Sequence, residues 1–80
     1  MYYIYIIFSE KLNRKYIGLT SDLRRRLKEH NTANFGFTKA GKPWEILYYE
    51  AFISKVDAKR EKKFLKSGKG KERIKYLLGI

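Results

Sequence analysis

Cysteine is absent from these 80 residues, which removes disulfides, thiolate zinc sites and cysteine nucleophiles together and agrees with a reducing compartment. Histidine occurs once, so no site that needs two imidazoles can be built. Acidic residues are scarce: 8 Asp and Glu stand against 19 Lys and Arg, a net charge of +11. A long apolar run is missing too. The longest, YYIYIIF at 2–8, falls far short of the ~20 residues of a membrane-spanning helix. It also has neither the basic flank nor the cleavage site of a signal peptide, so a cytoplasmic location and no membrane partner are expected. Residues 1–80 are expected to form a single domain. A chain this short buries only roughly 60% of the surface its unfolded form exposes, which leaves no core to wrap around a large cofactor.

What the chain has in excess is positive charge and aromatic rings. A surplus of cations in so small a domain repels itself, and its natural counterpart is a polyanion, nucleic acid first. The basic residues fall in RRR at 24–26, KAGK at 39–42 and KREKKFLKSGKGKERIK at 59–75, so more than one surface is expected to touch phosphate. Seven Tyr, five Phe and one Trp must mostly fill the core. Phe35 and Phe37, in a polar stretch, are the two that read as candidates for stacking on unpaired bases.

The pattern of residues predicts the elements. The β-branched and aromatic run 2–8 reads as a strand buried on both sides, SEKLNR at 9–14 as a turn, and Lys15–Leu19 as the second strand of an antiparallel hairpin. Thr20 or Ser21 then caps a helix reaching about His30, with Asp22 at its positive end and Leu23 and Leu27 facing inward. The polar segment closed by Pro43 is a loop, and WEILYYEAF at 44–52 is a third strand. Ser54, with Asp57 three places on, starts a second helix to about Lys66; SGKG breaks it, and Lys71–Leu78 forms the last. The expected class is α+β, a small, mostly antiparallel three-stranded sheet with helices packed on it in the order β-β-α-β-α-α.

In that order of elements, YIY at 3–5, YIG at 16–18 and TSDLRRRLKEHN after it resemble the GIY-YIG nuclease family, particularly its small single-domain members and the N-terminal nuclease domain of the bacterial excision-repair incision subunit. PW at 43–44, YYEAF at 48–52 and FLKSGKG at 64–70 extend the resemblance to nearly the whole chain, although Tyr3 stands where the family's first glycine would be. The resemblance implies a divalent-metal-dependent endonuclease that hydrolyses DNA phosphodiesters with one Mg²⁺ or Mn²⁺ ion. No attached recognition module is read, so low sequence specificity is expected, on single-stranded, structured or duplex DNA in repair or recombination, with no protein partner required.

Carried over residue by residue, the resemblance makes Tyr16 the group that takes the proton from water, Arg26 the clamp on the phosphate, and Tyr5 and His30 its assistants. A phenol of ordinary pKa ≈ 10 is ionised only about one part in a thousand at pH 7, so cations beside Tyr16 are required. Arg24, Arg25, Lys39, Lys42, Lys69 and Lys71, with Phe35 and Phe37, are the expected nucleic-acid contacts. The metal ligand is the delicate assignment. Counting along the family pattern from Ala58 and Phe64 ends on Lys62, with Glu61 one position early. On a helical wheel, however, Glu61 sits amid Ala58, Phe64 and Leu65, where an inward carboxylate calls for a cation, so Glu61 is the expected ligand. An inward ion pair from Glu61 to Arg26 is the competing arrangement, Glu50 is a weaker candidate ligand, and a catalytically inactive nucleic-acid-binding module on the same scaffold is the alternative function. A basic ribosome-associated protein, resting on charge alone, is a third.

Overall fold

The structure is a computed structural model that describes residues 1–32 and 37–79, with Phe37 in backbone only. Strands β1 (Tyr2–Ser9), β2 (Arg14–Thr20) and β3 (Trp44–Phe52) form one antiparallel sheet in the order β2-β1-β3. The strand expected to be buried on both sides is indeed the central one: Ile4, Tyr5, Ile6 and Ile7 are all buried. Helix α1 (Leu23–Thr32) follows the hairpin, and α2 (Lys55–Leu65) and α3 (Gly68–Leu78) follow β3.

Alternation along β1 sends its side chains to two faces with different coverings. Ile4 and Ile6 face α2 and α3, where they pack with Ala58, Leu65 and Ile74 into the main apolar core. Tyr5 and Ile7 face the other way and meet Trp44 together with Leu23 and Leu27 of α1. Cross-strand register carries the division outward: Tyr16 stands opposite Ile7 and Gly18 opposite Tyr5 on one side, while Tyr48 opposes Ile6 and Glu50 opposes Ile4 on the other.

Three local expectations change. Asp22 itself caps α1, its Oδ1 accepting from the Arg25 amide at 3.1 Å, while Thr20 Oγ1 accepts from the Asp22 amide one step earlier. The segment 37–41 of the expected loop is a short 3-10 helix. Helix α3 begins three residues before the predicted Lys71, because Ser67 serves as its cap through the Gly70 amide at 3.2 Å. Gly70 is needed there, since a Cβ would run into the backbone of Phe64 and Leu65; the two helices meet too closely for any side chain. The Ser54 cap on α2 is as expected, with the Asp57 amide donating to its hydroxyl at 3.4 Å.

Candidate active site

The α1 face of the sheet is where the chemistry-bearing residues gather, and one glycine permits it. Tyr5 lies across β2, over Gly18, where an added Cβ would fall on the phenol ring. The ring therefore reaches α1, and its hydroxyl meets His30 Nε2 at 2.8 Å. His30 is held in turn by its neighbour: Asn31 Oδ1 accepts from the Trp44 amide at 2.6 Å and Asn31 Nδ2 donates to the Trp44 carbonyl at 3.1 Å, tying the end of α1 to the start of β3. Trp44 is buried, its indole N–H donating to the Thr38 carbonyl at 2.8 Å. Tyr16 closes the group, its ring centroid 5.1 Å from that of His30 and 6.4 Å from those of Tyr5 and Trp44.

Burial shapes the protonation of this cluster. Burial, with the Tyr16 phenol adding to it, pushes the Tyr5 hydroxyl up to about 12 against the opposing pull of Arg26. Tyr5 thus keeps its proton at neutral pH. Burial, and then the Arg26 charge, lower the His30 pKa below its ordinary value, so the ring is neutral there and shares a hydrogen bond with the Tyr5 hydroxyl in the direction its tautomer sets. Tyr5 and His30 are a neutral, matched pair.

Arg26 stands beside them on α1. Its Nε is shut off from solvent and lies 3.1 Å from the carboxylate of the exposed Glu29. On its other side is the Tyr5 hydroxyl, whose pKa it pulls down by its charge and a hydrogen bond. Beyond Tyr16, along the free edge of β2, runs a groove of ≈ 750 Å³ between that edge and the α2–α3 corner, with Lys15, Lys66, Lys71 and Lys75 on its rim and Leu65 in its floor.

The cluster unites four of the five expected catalytic residues: Tyr5, Tyr16, Arg26 and His30. Glu61 is elsewhere. Phe64 is 39% exposed, so the buried stripe of α2 is Ala58 and Leu65 alone, and Glu61 and Lys62 flank it on opposite sides. The Glu61 flank turns toward β3. There its Oε2 is 3.9 Å from Arg73 Nε, and its carboxyl faces Glu50, whose pKa is pushed up to about 7 by burial and by the hydrogen bond and charge of Glu61. The inward ion pair to Arg26 weighed from the sequence is not formed among the described residues: Arg26 pairs with Glu29, and the Glu61 carboxylate lies nearest the half-exposed Arg73 of α3. The Lys62 flank turns toward β2: burial, then the charges of Lys66 and Arg26, lower the Lys62 pKa.

Of the expected nucleic-acid contacts, Arg24 and Arg25 are exposed on α1, Lys39 on the 3-10 helix, and Lys69 and Lys71 on the first turn of α3. Lys42 is half-buried just after the 3-10 helix. Phe35, and the side chain of Phe37, lie outside the described residues. Lys62, Lys66 and Lys75 belong to the basic run 59–75 but were not singled out as contacts, although Lys62 with Lys66 and Lys71 with Lys75 repeat at the four-residue spacing that aligns side chains on one helix face.

Comparison with known proteins bears on this arrangement. Residues 1–74 match the family model described as the GIY-YIG catalytic domain. A UPF0213 protein of Streptococcus agalactiae serotype V is 38% identical over 63 residues, spanning 78% of this chain and 72% of the relative. A UPF0213 protein of Pediococcus acidilactici is 32% identical over 79 residues, 95% of this chain and 80% of the relative. The solution NMR structure of a Bacillus halodurans UPF0213 protein superposes with a TM-score of 0.58 at 31% identity, covering 96% of this chain and 85% of that one.

Proposed function

The chain belongs to the GIY-YIG family, a nuclease-type catalytic domain, and from that premise we propose that it acts on the phosphodiester backbone of nucleic acid, DNA first, at the Tyr5–Tyr16–Arg26–His30 cluster. The observation that carries this reading is the Arg26 guanidinium, its Nε shielded from solvent and paired with the solvent-facing Glu29, beside the Tyr5–His30 hydrogen bond. Arg26 receives a non-bridging phosphate oxygen, and a preorganised guanidinium at that place also meets the charge that builds up as the phosphorus is attacked. Tyr16, on the rim where the groove opens, is the group placed to take a proton from an attacking water. Tyr5, held protonated, positions His30 and takes no proton itself.

The lysines around the groove give a nucleic-acid strand a path leading away from Tyr16, with phosphates on the rim and bases over the apolar floor. Contacts of that kind grip backbone and not base edges, in keeping with low sequence specificity on single-stranded or structured DNA of the sort met in repair or recombination.

The family implies a divalent ion, and the donors do not fit one at this cluster. Among the described residues no three His, Asp or Glu side chains lie together as a metal group, and Glu61, the expected ligand, is engaged by Arg73 and Glu50. No step is therefore routed through Mg²⁺ or Mn²⁺. The same engagement favours a second reading, a nucleic-acid-binding module that grips the backbone without cutting it. Incubating the purified protein with labelled single-stranded and duplex DNA and with RNA, in Mg²⁺, Mn²⁺ or chelator, decides between them. Cleavage lost in Tyr16→Phe and Arg26→Ala supports hydrolysis at this cluster. Salt-sensitive binding without cleavage in any buffer selects the module, and absence of both rejects the proposal.

A further inference from the structure

We infer that the phosphate seat of this chain is closed by a second side-chain cation, Lys62, and holds the nucleic-acid backbone without a divalent ion. The inference rests on the reading that Arg26 seats a phosphate, and it adds what faces Arg26 across that seat.

Lys62 lies four residues after Ala58 and three before Leu65, the two fully buried residues of α2. Those spacings put it on the same helix face as both. It is half-buried, whereas the adjacent Lys63 is exposed. The sheet order β2-β1-β3 separates the two flanks of that face. Glu61, on one flank, reaches the β3 side and engages Glu50 and Arg73. Lys62, on the other, is left over β2, the strand that carries Tyr16 and Gly18.

Two neighbours identify the surroundings of the ammonium. Lys66, one turn on, shares the β2-edge groove with Tyr16, and Arg26 on α1 is close enough to repel it. Lys62 thus approaches the seat from the α2 side of the β2 edge while Arg26 approaches from the α1 side. Cations drawn together around partly desolvated space destabilise one another. An anion between them reverses the sign of that interaction, as a phosphodiester accepting from both side chains would. A carboxylate at position 62 would present a divalent ion to the phosphate instead. An ammonium supplies the positive charge directly, so an ion becomes dispensable.

The test is fluorescence anisotropy with a short labelled single-stranded DNA, measured in chelator and in Mg²⁺, on wild type and on Lys62→Met, Lys62→Arg, Lys63→Met and Arg26→Ala. The Met variants keep the side-chain length and remove one charge each; circular dichroism checks that they fold. Wild type is expected to bind equally well in chelator and in Mg²⁺. Lys62→Met should weaken binding about tenfold, the size of one charge-assisted contact, with Lys62→Arg restoring most of it. Lys63→Met, which lowers net charge by the same amount on the exposed side, should change affinity less than about twofold. Binding by wild type that requires Mg²⁺, or equal losses in Lys62→Met and Lys63→Met, overturns the role of Lys62. Undiminished binding in Arg26→Ala is a different failure: it removes the phosphate seat, and the proposed function goes with it.

Discussion

The two faces of the sheet use buried space in opposite ways. Under α2 and α3 the interior is aliphatic, Ile4 and Ile6 against Leu65 and Ile74, with one partly buried carboxyl pair, Glu50 and Glu61, on its β3 side. Under α1 the interior is polar and aromatic, with a histidine and a tyrosine hydroxyl hydrogen-bonded where an aliphatic core would have methyl groups. A core of the first kind stabilises through apolar area removed from water. A core of the second kind contributes less and specifies more, because each buried polar atom must find a partner in one geometry. Holding the fold is therefore largely the work of the α2–α3 face, and holding the chemistry that of the α1 face.

Breaking either face should give a different phenotype. The largest expected effect is on stability: Leu65→Ala, deep under α2, should cost 2–5 kcal/mol in chemical denaturation while leaving the nucleic-acid affinity of the folded fraction unchanged. Arg26→Ala should do the reverse, weakening nucleic-acid binding by roughly ten- to a hundredfold with stability within about 0.5 kcal/mol of wild type. Gly18→Ala falls on the boundary, since its Cβ meets the Tyr5 ring; a loss of about 1–3 kcal/mol with a parallel loss of binding is expected, and wild-type behaviour in both assays would show that Tyr5 does not need its path across β2. Tyr5→Phe removes only the hydroxyl hydrogen-bonded to His30 and should cost about 1 kcal/mol, with the His30 pKa, followed by NMR, reporting the change.

The smallest effect separates the faces by pH. Glu50 titrates at about 7 in the fold against 4.5 for the ordinary carboxyl, so between those values the folded protein keeps a proton that the unfolded chain gives up. Stability from this group is present below about 4.5 and is lost as pH rises through about 7. Glu50→Gln removes that slope, and its stability relative to wild type should climb from pH 5 to about pH 7 and level off above it. His30 pulls the other way, since its folded pKa lies below the ordinary 6.5 and its contribution is lost as pH falls. Being common to both proteins, it cancels from the difference. A flat difference curve would mean that Glu50 and Glu61 do not share a proton.

Much of this was legible in advance because local pattern governs it. The hairpin, the third strand and the Ser54 cap follow from alternation and capping chemistry, while Tyr5 and His30 entered only through the family resemblance. The start of α3 was misplaced because two glycines look like a break, whereas one of them is the contact that lets α3 close on α2. The partner of Glu61 was misjudged for a different reason. Counting Phe64 as buried moved the centre of the α2 stripe toward Glu61, and with Phe64 exposed the stripe narrows to Ala58 and Leu65 and divides its neighbours, Glu61 to one strand and Lys62 to the other.

The amino-acid order by itself determined the elements and the excess of positive charge, since each depends on composition or on neighbours within a few residues, whereas the meeting of a phenol, an imidazole and a guanidinium was expected from the family resemblance and is made by packing α1 on the sheet. Which edge of the sheet each flank of α2 would serve depended on the order of strands and on one ring being left in solvent. A helix turns about 100° per residue, so a single position separates a carboxylate beside Arg73 on the β3 side from a half-buried ammonium on the other flank, and only packing in three dimensions chooses between them.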